Sequence, residues 1–234
     1  MKNLILVSLF VLGFNHAMWA DSPLTSTDIS SGYKDVPIVA AALKEGALTE
    51  QLMDYLSVSE NPIAVKIAII HALSDAAKAT VFFKHINSGN KYRDLSDFTN
   101  QASGDLLICM AYLKALENYF DVGEALIMAQ SAKHKSPKSY TVHIICALIE
   151  AQKAMDGDWC NVYSLTDNVR KNTSLTNDMN DKAKEGIFSY MDLYKEYCNQ
   201  FALYPKQNAD GKYGYVNDAG ETVIDYQFDG ADDF

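Results

Sequence analysis

His143 and Cys146 stand three residues apart, so a helix would present both on one face, and Cys109 and Cys160 could join them as metal ligands. Zinc sites draw their cysteines and histidines from short, characteristic spacings, and the gaps separating these four follow none of them. Core packing is therefore the expected role, and no metal or other cofactor is assigned. Asn208, Asp210 and Gly211 echo the middle of a calcium loop. Lys206 would fill its first ligand place and Asn217 its last, where carboxylates are needed, so a turn is expected instead. His71, His85 and His134 have no nucleophile and carboxylate arranged with them as a triad. A nucleophile elbow, a zinc-binding His-Glu-Xaa-Xaa-His helix and a phosphate-cradling glycine loop are all absent from the sequence. Motif chemistry thus points away from an enzyme, although a site assembled from distant residues would escape such a search.

Charge and cysteine content narrow the remaining classes. Twenty basic residues against thirty acidic ones leave a net charge of −10, which disfavours nucleic acid and anionic membrane surfaces, since both demand clustered basic groups. Acidic residues gather around Asp156 and Asp158, Asp178 and Asp181, and Asp229 and Asp233, as expected of solvated caps and loops. Lys2, the apolar run over residues 4–14 and the small residues Ala17 and Ala20 read as a secretory signal over residues 1–20. The run is shorter than the roughly 20 apolar residues a membrane span needs. The expectation is an exported chain, periplasmic or extracellular, with no transmembrane span once the leader is removed. All four cysteines, Cys109, Cys146, Cys160 and Cys198, follow the leader. In an exported protein they permit two disulfides in three connectivities, but each lies in an apolar helical pattern where a free thiol packs as a small hydrophobe.

With 48% hydrophobic residues the chain can bury a proper core, and its punctuation is helical. Residues 21–34, rich in Ser and Thr, read as a flexible lead-in segment. Pro37 opens a helix that Gly46 closes, residues 49–56 continue as its partner, and Asn61-Pro62 starts a third. From 63 to 73 that third helix is apolar nearly all round, broken by Lys66 and His71, which predicts burial between layers. Residues 76–86 follow as a partner helix, and 91–104 as a connector with one short turn near 95–98. Further helices are expected over 106–119, 122–134, 140–155 and 159–169, with Ser136-Pro137 capping the start of the pair formed by the last two. After a polar run over 171–181, a final amphipathic helix covers 182–198. Short loops make such neighbours antiparallel. From residue 201 the period changes to that of strands: 205–210 reads as a turn, 212–216 and 221–228 as a hairpin, with Gly220 at the left-handed loop position.

Two resemblances emerge from these residues. Tyr112, Leu113, Leu116, Asn118-Tyr119, Ala125-Leu126, Ala129, Ala132 and Pro137 resemble a tetratricopeptide repeat, and Gly157-Asp158-Trp159 with Ala147 and Ala151 partly match a second unit. At the end of the chain, Gly211, Lys212, Gly214, Tyr215, Val216, Asn217, Gly220, Val223, Ile224, Phe228, Asp229, Ala231 and Phe234 resemble the WG repeat, a bacterial aromatic β motif. Tyr213 takes the place of its usual tryptophan, and Asp225-Tyr226 replaces its proline-containing step. The fold class expected is mainly α: an α-helical hairpin array, tetratricopeptide-like, over residues 35–200, with a small WG-like β-hairpin unit over 201–234.

A single hairpin of this size buries too little apolar surface to stand alone, so its aromatics must cover something. Helical arrays bind extended peptides or proteins along a concave face. The expected function is therefore that of an exported, non-catalytic interaction or scaffold protein, its helical groove binding a protein or peptide partner. Tyr204, Tyr213, Tyr215 and Tyr226 supply the second contact surface, each combining a large apolar area with a polar tip. A different reading is a cell-envelope protein that binds or hydrolyses glycans, with these rings stacked on sugars. A third is a structural subunit whose hairpin adds to the sheet of a neighbouring molecule, forming an oligomer.

Overall fold

The structure, a computed structural model, describes residues 22–73, 78–199, 203–217 and 220–231. The leader expected over residues 1–20, the start of the helix expected from 76, the middle of the hairpin loop and Phe234 lie outside the described residues. What is described is mainly helical, with one small antiparallel sheet at the C-terminal end.

Local sequence accounts for most helix ends. Pro37 begins α1 (Pro37–Glu45), and Gly46, at φ 59°, closes it by donating to the Ala42 carbonyl. The Thr49 side chain caps α2 (Glu50–Ser57) through the Leu52 amide. Before α3 (Ile63–Leu73), the Asn61 side chain does not cap. It donates back to the Tyr55 carbonyl at 2.8 Å, while the Pro62 carbonyl accepts the first helical bonds. Beyond α4 (Ala79–Ile86), the expected single turn near residue 95 extends to a full helix, α5 (Leu95–Gln101), because the Asp94 carboxylate caps it at the Asp97 amide.

The centre of the body is α3. It packs against α1, α2, α6 (Gly104–Glu117) and α8 (Tyr140–Ala154), and residues on all its sides are buried. The fully buried Lys66 is tolerated because its ammonium reaches Asp105, in the first turn of α6, at 2.7 Å. Burial works against the Asp105 charge, but the hydrogen bonds from Lys66 and Ser103 outweigh it and hold the carboxyl below the usual range. Around this centre α6 pairs with α7 (Gly123–Lys135), α7 with α8, and α8 with α9 (Trp159–Lys171), a run of hairpins joined by short loops. The cap of α8 is Ser139, not Ser136-Pro137. Asp178 reinforces it, accepting from the Thr141 amide and hydroxyl at 2.7 Å each, which also pins the polar run before α10 (Asp181–Met191).

Residues 22–34 are not a loose segment. Leu24 and Ile29 are wholly buried, and a short 3-10 turn, Ser30–Tyr33, wedges between α3 and α10. The serines and threonines that give the segment its polar look find partners inside: Ser22 with Gln152, Thr27 with the Pro23 carbonyl, Ser30 with His71. The Asp28 amide donates to the Gly186 carbonyl, and the Asn180 amide to the Tyr33 hydroxyl at 2.9 Å. A Cβ on Gly186 would come within 2.0 Å of the Asp28 carbonyl oxygen, so glycine permits this close crossing.

The last helix is also not continuous. It ends at Met191, tightens into a 3-10 turn at Asp192–Tyr194 and resumes as a single turn, α11 (Glu196–Asn199). Among the described residues, no helix is long and apolar enough to cross a membrane.

The sheet has three strands in the order β1 (Tyr204–Gln207), β2 (Tyr213–Val216), β3 (Thr222–Phe228). The stretch expected as a turn thus supplies an extra edge strand at its start, where Pro205 is tolerated. Only its far end turns, with Asn208 Oδ1 accepting from the amides of Asp210 and Lys212. Gly220 is left-handed, at φ 78°. Tyr215 and Val216 are buried, yet among the described residues they stand apart from the contiguous core that the helices share.

Candidate functional site

The cysteines and histidines that could do chemistry do not converge. Cys109 lies wholly buried in α6 beside the Lys66–Asp105 pair, and burial pushes its thiol up to about 12. Cys146 is buried in α8, its thiol 3.7 Å from Glu150 and likewise pushed up to about 12 by burial. Both are buried free thiols, so neither takes part in a disulfide. The structure joins Cys160 to Cys198, with Cα atoms 4.5 Å apart. His143 turns toward Lys133, His134 and Glu150 in a shallow cleft, its Nε2 buried without a hydrogen-bond partner. Among the described residues no cluster of three or more metal-ligating side chains exists.

The hairpin tyrosines are placed unevenly. Tyr204 is half exposed on the β1 edge, and Tyr213 and Tyr226 are partly covered. Tyr215 is buried, its ring edge-on to Phe228 with centroids 6.2 Å apart, so it belongs to the interior of the sheet unit and offers no contact surface. Gly214, between the two tyrosines of β2, lies so close to β3 that a Cβ would meet the Ile224 carbonyl oxygen at 2.5 Å.

A concave aromatic surface does exist, formed by residues of the helical body. Trp159, the first residue of α9, faces Tyr194 and Tyr197 with ring centroids at 5.8 and 4.9 Å, each tilted by 53°. Tyr190 continues the row, 5.6 Å from Tyr194, their hydroxyls 2.8 Å apart. With Asp192, Leu193, Lys195 and Glu196 these rings line an open cleft of about 660 Å³. Trp159 is 41% exposed and Leu193 63%, so the cleft presents large apolar side chains to solvent.

Each wall has a local cause. The Asp158 carboxylate caps α9 through the Asn161 amide, which sets Trp159 at the helix mouth. Tyr190, Tyr194 and Tyr197 follow one another at helical spacing across the 3-10 break. The break is anchored by Arg170, whose guanidinium donates to both Asp192 carboxylate oxygens at 3.1 and 2.8 Å and to Asp167. The same guanidinium lies 4.1 Å from the Phe188 ring centroid. The Asp192 bonds, with those of Asp167, raise the guanidinium pKa further despite partial burial, so Arg170 is a fixed positive charge behind the cleft. Burial raises Asp167, but its bonds to Lys171 and Arg170 prevail and keep its carboxyl below the usual range.

Such a cleft offers ring faces, a bare leucine and a mixed polar rim. It has the large, rigid, partly wet character of a contact surface. The signal in the sequence was the stripe Tyr190, Tyr194, Tyr197, but nothing local says that Trp159 meets it. No protein-family description, curated protein or solved structure matches the chain.

Proposed function

We propose that this chain is an exported, non-catalytic binding protein, and that it holds a protein or peptide segment in the cleft of Trp159, Tyr190, Tyr194 and Tyr197. The observation that carries the reading is the exposure of Trp159 and Leu193 on a concave surface of the helical body. Surfaces of this kind, with aromatic anchors at the centre and a polar rim, dominate binding energy in protein recognition. The hairpin remains a second contact surface through Tyr204, Tyr213 and Tyr226, and the likenesses to tetratricopeptide and WG units agree with a modular binder. Export is part of the same reading, on the strength of residues 1–20 and of a disulfide that an oxidising compartment would preserve.

Ring faces also suit sugars, so a glycan is the second reading. Glycoside cleavage needs two carboxylates free to act across a bond. Asp192, one of the two acidic residues lining the cleft, is engaged at both oxygens by Arg170, which favours binding over hydrolysis.

The test is to screen the protein against peptide and glycan arrays, beside Trp159→Ala and Tyr204→Ser variants. A peptide signal that falls at least tenfold in Trp159→Ala and less in Tyr204→Ser supports the reading. A signal confined to glycans replaces the protein partner by a sugar, and a signal indifferent to Trp159→Ala removes the cleft from consideration.

A further inference from the structure

We propose that the aromatic cleft is assembled by oxidation, the Cys160–Cys198 disulfide being the latch that brings its two halves together. The inference rests on the binding reading of the cleft and adds its control.

The disulfide joins the immediate chain neighbours of the two rings in closest contact at the cleft: Cys160 follows Trp159, and Cys198 follows Tyr197. The two halves are otherwise held very differently. Tyr190 lies in α10, and Tyr194 ends a 3-10 turn whose Asp192 is clamped by Arg170, so this half is tied to α9 without the sulfurs. Tyr197 lies on α11, a helix of four residues. One turn cannot maintain itself in water, because the cost of nucleation exceeds what a single hydrogen bond returns. Beyond the bridge, the side chains carrying Tyr197 are turned outward: Lys195 and Glu196 are both exposed. Tyr197 also packs against the edge of the helical core, and among the described residues the bridge is the covalent restraint that fixes this wall to α9.

The chemistry is thiol–disulfide exchange. In the assembling direction, the Cys160 and Cys198 thiols lose two protons and two electrons, one sulfur–sulfur bond forms between them, and the disulfide of an exchange partner is cleaved to two thiols. In the releasing direction, a dithiol reductant is oxidised and the two protein thiols return. Both cysteines are partly exposed, unlike Cys109 and Cys146, so a reagent can reach this pair alone. A chain still in a reducing compartment has thiols here and an open wall; the same chain after export has the complete cleft.

The experiment uses the exported chain, from which Trp19 has been removed with residues 1–20, so that Trp159 is the sole indole. Oxidised protein is compared with the same protein after mild dithiothreitol, and with a Cys160→Ser/Cys198→Ser variant. The latch predicts a red-shifted Trp159 emission and faster amide exchange confined to residues 190–198, unchanged far-ultraviolet circular dichroism, alkylation of two thiols after mild reduction, and at least tenfold weaker array binding. If the double variant does not fold, the dithiothreitol arm on folded protein decides the question. Unchanged Trp159 emission and exchange after reduction would overturn the latch whatever the arrays show. Altered emission with array binding unaffected by Trp159→Ala would instead overturn the binding reading and leave the latch as a property of the fold.

Discussion

The rings of Trp159 and Tyr197 lie 4.9 Å apart at 53°, and the residue after each is a cysteine of one disulfide whose halves are 38 positions apart in the chain. Closing a loop of that length removes unfolded-state entropy worth about 3–4 kcal/mol in the chain-entropy account. The Cys160→Ser/Cys198→Ser protein should therefore unfold at lower denaturant, by about 2–4 kcal/mol in urea titrations, with most of the loss felt by the C-terminal part of the body.

Arg170 is a second support of the cleft. Arg170→Ala removes bonds to Asp167 and Asp192 and the guanidinium face over Phe188. The side chain is a third exposed, so solvent screening limits the charge contribution, and the expected cost is about 1–2 kcal/mol. Arg170→Lys should recover little of it, since an ammonium cannot reproduce the two-oxygen grip on Asp192. Thermal melts of the three proteins give the comparison.

His71 makes the body sensitive to mild acid. Its Nδ1 accepts from the Ser30 amide and its Nε2 faces the Thr27 carbonyl, an arrangement that suits the neutral ring. Burial lowers its pKa, an effect only partly offset by the Thr27 carbonyl and the charge of Asp28. The folded state therefore resists a proton that the unfolded chain takes up once pH falls through about 6.5. Stability should be full above that pH and decline below it, by at most about 1.4 kcal/mol per unit for this group. His143, also lowered by burial, acts with the same sign. Urea midpoints at pH 7.5 and 5 measure the decline, and His71→Asn should make it shallower.

Gly186 is predicted to be irreplaceable. A methyl group there would meet main-chain atoms of Asp28, which cannot rotate away. Gly186→Ala should cost about 3 kcal/mol or more, through displacement of residues 22–34 from α10. By contrast Gly157, with nothing near its Cβ, should accept alanine within about 0.5 kcal/mol. Calorimetry on the pair provides the measurement.

The sheet should be separable. Because Val216 is not part of the contiguous helical core, a chain ending after residue 200 is expected to keep its helical circular dichroism and its main unfolding transition. Loss of cooperative unfolding in that truncation would show that the sheet supports the body.

Where structure is set by neighbours in sequence, the residues announced it. Pro37 and Gly46 bound α1, Thr49 caps α2, the all-round apolar pattern of α3 signals its central place, and Gly220 turns the hairpin. Where structure is set by distant partners, they did not. Nothing local in the Ser- and Thr-rich run after residue 21 reveals that His71, Gln152 and Gly186 will satisfy it. The break at Asp192 depends on an arginine in the last turn of another helix, and Pro205 disguises an edge strand as a turn. The cleft was half visible as a tyrosine stripe, but its other wall arrives through a disulfide whose connectivity spacing does not specify.

The wedge of residues 22–34 has one more consequence. Tyr33 is bound to Asn180, 147 residues further along, so the first stretch of the folded body meets a late one. A ribosome delivers these in order, and the turn Ser30–Tyr33 cannot be fully covered until α10 has been made. Until then the turn that seats on α3 has only one of its two supports, and the body is completed when α10 packs over residues 22–34.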